Sequence, residues 1–573
     1  MIDDVRYRFT VLMICLMGFI LIFKLFNLQV LKYDFYKEAA AGQHQTYQVL
    51  SPKRGEIFIK DRFYKEGDSL INLFPVAINK EWKMIYAEPK NVKDPEKTTE
   101  ILMEFLDLEK DDLRVKLEKK NDPYEPIMHK VPQETAQKIA ELNLSGIKLV
   151  SENWRFYPAK TFISHVLGFV GFLENDLKGQ YGVEGYYDKI LSGKHGYLEG
   201  EKDVMGRIIN IAKSQLQPAQ DGADLILTID SNIQFFVEEK LKETIERLGA
   251  EGGTIIVEDP RTGEIKALAN WPAFDPNNYS KVEDISIFLN PAIHNLFEPG
   301  SIFKPFTMAI ALDKHLITPE TTYEDKGYVI VDGHKIRNSH DKPEGVQTMT
   351  QVLEKSLNTG AVFVQQLIDK KIFKEYLEKF GFNKKTGIDL QGEAVGNLAN
   401  LNTKRDIEYA TASFGQGIAV TPIELIAGLS AFANKGRIMQ PHVVEKIIFS
   451  NGKEKKIEPK LLSQPISSKT AFEVTKMMVS VVENGYGKKA GVEGYFIAGK
   501  TGTAQVPRED RRGYSDKTIH SFGGFFPAFD PRFVLLVKID NPKGIRFAAD
   551  SVAPVFREIA EYILNYYEIP PSR

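Results

Sequence analysis

Three short motifs that lie far apart in the chain constrain its fold, because their side chains can act together only if one domain brings them close. The motifs are Ser301-Ile302-Phe303-Lys304, Ser356-Leu357-Asn358 and Lys500-Thr501-Gly502-Thr503. The gap from the first serine to the second is 55 residues, and the gap from there to Lys500 is 144 residues. In this order they supply a nucleophile, side chains that can move its proton and a strand edge that can bind an anion. The combination predicts acyl transfer through serine and lysine.

The first motif has the spacing of a nucleophile and its base on one helix. Residues i and i+3 share a helix face, so Lys304 can reach Ser301. Pro299-Gly300 indicates a helix start, which places Ser301 in the first turn, where free N–H groups and the positive end of the dipole favour an oxyanion. That positive end, together with burial, favours the neutral form of Lys304, which could then act as a base. Pro305 lacks the N–H that would bond to the Ser301 carbonyl and is expected to tilt the turn.

The residues around these motifs resemble the active-site motifs of the penicillin-binding proteins. The matching runs are Phe297–Pro305, Ser356–Gly360 and Ala498–Ala504. Further runs resemble the class B transpeptidases of that family: Phe414–Ile418 with Thr421-Pro422, Ser521–Pro527, and Arg54–Ile57 with Asp61-Arg62. Within class B, Phe-Glu-Pro-Gly before the serine and Ser-x-Asn in the second motif resemble the division-type, FtsI-like branch more than the elongation-type branch. The chain departs from the pattern at Ile302, where the family usually has Thr, and in the early motif, which holds two extra residues.

The resemblance implies a fold and a reaction. The fold is α+β, with an N-terminal transmembrane helix, a mixed pedestal domain and a penicillin-binding transpeptidase domain, an antiparallel sheet with surrounding helices as in serine β-lactamases. Ser301 would attack the carbonyl between the two terminal D-alanines of a peptidoglycan stem peptide and release the last D-alanine. An amine from a neighbouring stem peptide would then resolve the acyl-enzyme into a cross-link. β-lactam antibiotics would inhibit the protein, and no cofactor, nucleotide or metal is implied.

The other site residues take their roles from the same resemblance. Lys304 would take the serine proton, and Ser356, with Lys500 as a charged neighbour, would pass that proton to the leaving amine. Asn358 would fix Lys304 and the substrate amide. The substrate-binding roles are an oxyanion hole from the N–H groups of Ser301 and Thr503, a carboxylate site from Lys500, Thr501 and Thr503, and a close approach of the substrate backbone at Gly502.

Composition excludes several other classes of protein. A chain of 573 residues with 43% hydrophobic and 26% charged residues is globular and long enough for two to four domains. Its net charge of -3 gives no basic surface for nucleic acid. The single cysteine, Cys15, lies in the N-terminal apolar segment, so the chain has no disulfide and no cysteine-based zinc site. Its ten histidines include no His-Glu-x-x-His motif.

The N-terminal segment predicts a membrane anchor. Residues 9–23 are apolar except for Thr10, and the segment reaches bilayer length if it continues to Leu31. Arg6 and Arg8 precede it, which predicts a cytoplasmic tail over residues 1–8, an anchor over residues 9–31 and an extracytoplasmic remainder. The alternative is a cleavable signal peptide with the small residues 39–41 as its cleavage site. Charged residues between the apolar core and those alanines favour the uncleaved anchor.

The rest of the chain divides into two predicted domains. Residues 36–215 alternate between charged helix-like stretches and short apolar strands and loops, and they resemble the class B pedestal. Residues 220–573 are predicted to form the enzyme domain. Within the latter, residues 254–258 and 265–269 predict a hairpin around the turn signal of residues 259–263. The sequence predicts later strands over Ser521–Phe526 and Phe533–Ile539 and a final helix over Val552–Tyr567. A central antiparallel sheet with helices around it is the expected α+β layout.

Several alternatives to a division transpeptidase stay open. A β-lactamase uses the same residues but is generally smaller than this domain. A membrane-bound β-lactam sensor would need a cytoplasmic signalling module, and a non-catalytic scaffold would not need the intact motifs. An elongation-type transpeptidase is the alternative within the family. No glycosyltransferase domain is expected in the chain, so polymerisation would come from a partner. The resemblance implies that this partner is an FtsW-like multispanning glycosyltransferase, together with other divisome proteins.

Overall fold

The computed structural model of the chain describes residues 2–26, 45–63, 73–119, 122–173, 176–201, 215–339, 342–508 and 513–573. The strands within these ranges are β1 Gln45–Leu50, β2 Ile57–Lys60, β3 Phe74–Ala87, β4 Glu125–Val131, β5 Ile147–Phe156, β6 Phe169–Leu173, β7 Asp176–Gln180, β8 Gly196–Glu201, β9 Gln215–Gln217, β10 Asp224–Asp230, β11 Gly252–Glu258, β12 Ile265–Trp271, β13 Thr322–Asp325, β14 Tyr328–Val331, β15 His334–Arg337, β16 Gly345–Thr348, β17 Ile438–Met439, β18 Val444–Ile448, β19 Glu454–Lys456, β20 Leu461–Ser463, β21 Ala498–Pro507, β22 Tyr514–Phe526 and β23 Phe533–Asp540.

The α-helices are α1 Ile2–Phe26, α2 Pro95–Met103, α3 Lys110–Leu117, α4 Gln133–Glu141, α5 Ser164–Leu167, α6 Gly182–Tyr186, α7 Asp188–Leu191, α8 Ser231–Leu248, α9 Pro291–His294, α10 Lys304–Asp313, α11 Met349–Glu354, α12 Asn358–Leu367, α13 Lys370–Lys379, α14 Asp406–Ala412, α15 Pro422–Ala433, α16 Ser468–Glu483, α17 Ala548–Ser551 and α18 Ala553–Tyr566. Short 3₁₀ helices cover Pro89–Asn91, Pro276–Lys281, Ile285–Phe288, Gly300–Phe303, Ala399–Asn402 and Lys488–Ala490.

The first of two compact units combines residues 1–54 with residues 192–222. Its described strands form a three-stranded sheet in the order β1-β8-β9, with both pairs antiparallel. Helix α1 carries large apolar side chains that are exposed, among them Phe19, Ile22 and Phe23. Within the described residues, no helix combines the length and the apolarity that a membrane crossing requires. The predicted anchor over residues 9–31 runs past Phe26 into positions outside the described residues.

The second unit combines residues 55–191 with residues 223–573. A seven-stranded sheet in the order β19-β18-β10-β2-β3-β4, with β5 paired to β3, joins its two segments. The joining pair is β10 and β2, which run parallel to each other. The predicted domain boundary at residues 215–220 lies within residues 192–222, which belong to the first unit. The structure therefore groups residues 57–60 with residues 224–230 in one sheet, although the sequence suggests separate domains for them.

A five-stranded antiparallel sheet in the order β12-β11-β23-β22-β21 forms the centre of the later segment. Alternation along β11 sends Ile255 and Val257 into a cluster with α8 and α18, while Ile256 packs with α10, α15 and α16 on the other face. The predicted hairpin is confirmed as β11 and β12, and the predicted late strands are confirmed as parts of β22 and β23. The final helix, α18, is one residue shorter than predicted at each end. The α+β expectation is thus confirmed.

A buried ion pair lies in the earlier segment of the second unit. Arg155 Nε is 2.6 Å from Glu184 Oε1, and the two side chains are 3% and 0% exposed. Arg155 Nη1 also donates to the Gly55 carbonyl at 2.8 Å, and the Tyr157 hydroxyl donates to Glu184 at 3.2 Å. The contacts with Arg155 and Tyr157 give Glu184 a structural role, and Gly55 is required for a steric reason, because a Cβ there would lie 1.9 Å from the Ala223 carbonyl oxygen. A buried carboxylate needs such partners because an unpaired charge is costly in the interior.

Candidate active site

The turn that carries Ser301 is a 3₁₀ helix that continues into α10. Ser301 lies second in Gly300–Phe303, and Lys304 is the first residue of α10. The Lys304 N–H donates to the Ser301 carbonyl in the tighter 3₁₀ pattern. Pro305 is therefore the second α-helical residue, a position where a missing N–H costs nothing. Pro305 makes no bond to the Ser301 carbonyl, as predicted, and the Lys304 N–H takes that carbonyl instead.

Two glycines bring another loop against this turn. Gly300 has φ +61° and donates its N–H to the Gly415 carbonyl at 3.0 Å. A Cβ on Gly415 would lie 2.3 Å from the Gly300 oxygen, a distance that real atoms do not adopt. The Phe-Gly-Gln-Gly run of the sequence resemblance thus has a steric basis, since only glycine allows residues 414–417 to approach the nucleophile turn so closely.

Ser356 lies between two helices in an unusual backbone conformation. It follows α11, precedes α12 and has φ +56°, a region that side-chain-bearing residues rarely adopt. The chain therefore leaves the helical conformation at this residue, between α11 and α12. The break turns the Ser356 hydroxyl towards two lysines from other motifs. Lys500 Nζ donates to Ser356 Oγ at 3.0 Å, and Lys304 Nζ donates to the same atom at 3.3 Å and to the Ser356 carbonyl at 2.5 Å.

Both lysines are fully buried, and burial changes their protonation. Lys304 and Lys500 are each 0% exposed. Burial lowers the pKa of Lys304 well below its ordinary value, and the charge of Lys500 lowers it further. Burial alone lowers the pKa of Lys500 to about 7. The lowered pKa of Lys304 favours its neutral amine, the form that can accept a proton, while a pKa of about 7 leaves Lys500 partly charged at neutral pH.

The structure shows no hydrogen bond between the side chains of two predicted catalytic residues, Ser301 and Lys304. Among the described residues, the hydrogen bonds of Lys304 Nζ go to Ser356 and not to Ser301. Ser301 instead lines a cavity of about 420 Å³ together with Ser356 and Thr501. Hydrogen bonds of catalytic groups are often loose before substrate binds and tighten in the reacting complex. The side chains of Ser301 and Lys304 thus share no hydrogen bond in this structure, although the Lys304 backbone N–H bonds to the Ser301 carbonyl.

Asn358 begins α12 and lines the same cavity. Its Nδ2 donates to the Arg337 carbonyl at 2.9 Å, and in the described structure it makes no hydrogen bond to Lys304. The predicted contact between the two side chains is therefore absent. The Arg337 carbonyl, at the end of β15, takes the Asn358 amide instead.

A buried network that the sequence did not reveal holds the start of α12. The Asp325 carboxylate accepts hydrogen bonds from Thr359 Oγ1 at 2.7 Å and from Asn338 Nδ2 at 3.0 Å. Asn338 Oδ1 in turn accepts the Thr359 N–H at 3.1 Å. Thr359 is adjacent to Asn358, so the network fixes the second motif. No local pattern marks Asp325 or Asn338, because their partners lie more than a dozen residues away in sequence.

The third motif lies on β21, which ends the strand order of the five-stranded sheet. Thr501 and Thr503 line the cavity, and the Thr503 hydroxyl accepts the Ala548 N–H at 3.2 Å. Gly502 points away from them, as alternation along a strand requires. A Cβ there would lie 2.4 Å from Ser521 Oγ and 2.9 Å from the Pro299 carbonyl. Gly502 therefore allows β21 to pack against the nucleophile turn, a different reason from the substrate approach that the sequence suggests.

The remaining cavity wall comes from residues outside the three motifs. Its further lining residues are Ser339, Phe414, Gln416, Gly485, Tyr486, Lys488, Lys489, Phe547, Ala548, Ala549 and Asp550. Lys489 Nζ is 2.7 Å from Asp550 Oδ1, which ties two segments of this wall together. Sequence reasoning missed these residues, apart from the 414–417 run, since none belongs to a motif. Within the described ranges, no group of three or more His, Cys, Asp or Glu side chains is placed to hold a metal ion.

Comparison with known protein families and relatives agrees with this arrangement. The penicillin binding protein transpeptidase domain matches residues 253–561, and the penicillin-binding protein dimerisation domain matches residues 50–227. Stage V sporulation protein D of Bacillus subtilis (strain 168) is 35% identical over 528 residues, which cover 91% of this chain and 79% of the relative. The peptidoglycan D,D-transpeptidase FtsI of Escherichia coli (strain K12) is 31% identical over 555 residues, which cover 95% of this chain and 89% of that protein.

Solved structures show the same fold. A peptidoglycan synthetase from Bifidobacterium adolescentis superposes with a TM-score of 0.72 at 25% identity, covering 92% of this chain and 98% of that one. Penicillin Binding Protein 2X from Streptococcus thermophilus superposes with a TM-score of 0.74 at 23% identity, covering 91% and 80%. The matched transpeptidase domain contains all three motifs and takes up more than half of the chain. The chain therefore belongs to the class B penicillin-binding proteins, in the FtsI-like branch.

Proposed function

We propose that this protein is a serine D,D-transpeptidase that cross-links peptidoglycan stem peptides through an acyl-enzyme on Ser301. The observation that carries this proposal is the convergence of two buried lysines, Lys304 and Lys500, on the hydroxyl of Ser356 beside the Ser301 cavity. Two amines that share hydrogen bonds with one hydroxyl form a path along which a proton can move. Acyl transfer needs such a path twice, once for the nucleophile and once for the leaving amine.

In the proposed acylation step, Ser301 Oγ attacks the carbonyl carbon of the bond between the terminal D-alanines. Its proton goes to Lys304 Nζ, because burial lowers the pKa of that amine and favours its neutral form. As the tetrahedral intermediate collapses, the C–N bond breaks and a proton passes from Ser356 to the departing D-alanine amine. Ser356 regains a proton from the lysines hydrogen-bonded to it. The amine of a second stem peptide then attacks the ester, loses its proton along the same path and restores Ser301.

Anion binding is the second part of the proposal. The N–H groups of Ser301 and Thr503 would stabilise the oxyanion, each donor lowering the barrier by about 3 kcal/mol at comparable sites. Thr501 and Thr503 would bind the terminal carboxylate of the substrate, with the positive charge of Lys500 nearby. Asn358 Nδ2 already bonds to the Arg337 carbonyl, so the Asn358 amide oxygen is the group assigned to the substrate amide. Gly502 keeps the strand close to the nucleophile turn.

We also propose the cellular setting that the family resemblance implies. Residues 1–8 would be a cytoplasmic tail, residues 9–31 a single membrane anchor, residues 36–215 a pedestal and residues 220–573 the enzyme domain outside the cytoplasmic membrane. The exposed apolar side chains of α1 support an attachment to lipid or to a membrane partner. That partner would be an FtsW-like multispanning glycosyltransferase, together with other divisome proteins. Carbonate extraction of cell membranes tests the anchor, since a peripheral protein would leave the membrane.

The proposed biological role is septal cell-wall synthesis, by analogy with the relative named FtsI. The relative named Stage V sporulation protein D favours a role in spore formation as a second candidate, because it covers 91% of the chain at the higher identity of 35%. A fluorescent fusion distinguishes the roles by its position in the cell. Midcell fluorescence in growing cells supports the septal role, fluorescence confined to sporulating cells supports the second candidate, and sidewall fluorescence supports an elongation-type enzyme.

The chemistry is tested by intact mass of the purified full-length protein after incubation with benzylpenicillin, and separately with a D-Ala-D-Ala thioester mimic. The matched control is Ser301→Ala. A long-lived adduct on the natural protein alone supports Ser301 as the nucleophile of a transpeptidase. Rapid turnover of penicillin would identify a β-lactamase instead, a folded protein without any adduct would point to a scaffold, and an adduct on Ser301→Ala would point to another nucleophile.

A further inference from the structure

Glu298, three residues before the nucleophile, bonds to two separate parts of the active site. Its Oε1 accepts the Gly417 N–H at 3.1 Å, and its Oε2 accepts the Tyr514 hydroxyl at 2.9 Å. Its side chain does not line the cavity of Ser301. One carboxylate thus links the segment that leads into the nucleophile turn with two neighbouring segments of chain.

The two partners of Glu298 belong to two segments that pack against the nucleophile turn and are here called its walls. Gly417 follows Gln416, which lines the cavity, and the same loop accepts the Gly300 N–H at the Gly415 carbonyl. Tyr514 is the first residue of β22 and pairs in register with Pro507, the last residue of β21. β21 carries the third motif. Glu298 therefore connects the loop on one side of the nucleophile turn to the hairpin on its other side.

The nucleophile turn fits tightly between these walls. A Cβ on Gly415 would overlap Gly300, and a Cβ on Gly502 would lie 2.9 Å from the Pro299 carbonyl and 3.2 Å from Ile302 Cβ. Closely packed interiors transmit small displacements, because they leave no free volume to absorb them. A shift of either wall would therefore move Ser301 relative to Thr503, whose N–H is assigned to the oxyanion hole.

The chemistry of Glu298 suits a fixed connector. Burial raises the pKa of its carboxyl group, and the hydrogen bonds from Tyr514 and Gly417 oppose that rise. Hydrogen bonds to an ionised carboxylate are roughly twice as strong as those between neutral groups. A buried carboxylate with two donors in different segments also holds those segments in one geometry, since moving either would leave a charged oxygen without a partner.

We propose that Glu298 is a positioning residue that sets the alignment of Ser301 with the third motif by holding the Gly417 loop and the Tyr514 hairpin together. The proposal rests on the proposed function, because it assigns an effect on acylation of Ser301. Glu298 acts through Ser301 and Thr503 and does not touch the substrate. Its loss reduces the rate of the chemical step more than the affinity for the ligand that precedes it, since binding tolerates small misalignments that chemistry does not.

The test measures acylation by benzylpenicillin, followed by intact mass over time at several concentrations, in the full-length protein and its variants. Tyr514→Phe removes one hydroxyl from Glu298 and lowers the maximal acylation rate about tenfold, a typical effect for one charge-assisted hydrogen bond. The concentration that gives half the maximal rate stays within about twofold. Glu298→Ala lowers the rate further, and in that background Tyr514→Phe has no additional effect. Glu298→Gln restores part of the rate, because its amide oxygen still accepts one hydrogen bond.

The matched control is Tyr376→Phe. Tyr376 donates to Asp313 Oδ2 at 2.8 Å, a bond of the same type and nearly the same length as that of Tyr514, and neither partner lines the cavity. The control lowers the melting temperature and leaves the acylation rate unchanged. Equal acylation rates in Tyr514→Phe and the natural protein would overturn the proposal, as would equal losses in both tyrosine variants. If the natural protein forms no adduct at all, the proposed function fails. A folded Glu298→Ala variant that acylates normally rejects the positioning role alone.

Discussion

Replacing Lys500 by methionine is expected to stabilise the protein while removing its activity. Lys500 is 0% exposed, and burial lowers its pKa from 10.5 to about 7. That difference corresponds to about 5 kcal/mol of unfavourable free energy for the charged form, at about 1.4 kcal/mol for each pH unit. Methionine has a similar length and no charge. It loses three hydrogen bonds, to Ser356 Oγ at 3.0 Å and to two oxygens of Thr501 at 3.2 Å.

Those three bonds contribute about 1 kcal/mol each, so Lys500→Met should gain about 2 kcal/mol in free energy of unfolding at acid pH. The gain depends on pH in a defined direction. Below pH 7 both the folded and the unfolded chain carry the Lys500 proton, and the full cost of burial persists. Between pH 7 and 10.5 the unfolded chain keeps a proton that the folded chain has lost, so a rise in pH stabilises the natural protein. The advantage of the variant should therefore shrink across that window.

The assay is chemical unfolding of the natural protein and the Lys500→Met variant at pH 6, 8 and 10, with benzylpenicillin acylation measured in parallel. Lys371→Met serves as the control, because the Lys371 side chain is 85% exposed and its replacement should change neither stability nor its pH dependence. Two results would refute the reasoning that burial makes the charged form of Lys500 unfavourable. One is a Lys500→Met variant that is less stable than the natural protein at pH 6, and the other is a difference in stability between the two proteins that does not vary with pH.

Three further variants test other parts of the structure. Lys304→Ala should keep the fold and reduce acylation by several orders of magnitude, and normal adduct formation would reject Lys304 as the base. Gly502→Ala should reduce acylation because its Cβ would collide with neighbouring atoms at 2.4 Å, whereas Gly491→Ala, whose nearest such contact is 3.3 Å, should acylate normally. Arg155→Met should lower the free energy of unfolding by about 3–5 kcal/mol, because it leaves the buried Glu184 carboxylate without the arginine charge. Urea unfolding measures this loss, and a change below about 1 kcal/mol would contradict the prediction.

The sequence predicts the parts of the fold that depend on neighbouring residues. The hairpin of β11 and β12 follows from two apolar runs around Asp259–Gly263, a turn signal that acts locally. The parallel pairing of β10 with β2 was not predicted, because strands separated by more than 160 residues leave no local trace of their partnership. For the same reason the division of the chain into compact units differs from a boundary read from composition.

The candidate site shows the same contrast. The motifs identify Ser301, Lys304 and Lys500 because chemistry restricts the residue types at those positions. They do not reveal the left-handed conformation of Ser356, which depends on how α11 and α12 meet. They also assign Gly502 to the substrate, although its closest potential contact is Ser521 on the adjacent strand. A residue type can thus be predicted from a motif while the reason for it depends on packing between distant segments.

The position of β23 has a consequence for how this protein is made. β23 is the middle strand of the five-stranded sheet, yet it is the last strand in the chain. A ribosome delivers residues 533–540 only after more than nine-tenths of the polypeptide, so β11 and β22 wait with unpaired edges until then. Closure over so long a separation is slow and leaves apolar strands open to aggregation. Chains that end before β23 are therefore expected to be proteolytic substrates rather than partial enzymes, and efficient folding depends on rapid completion of the C-terminus.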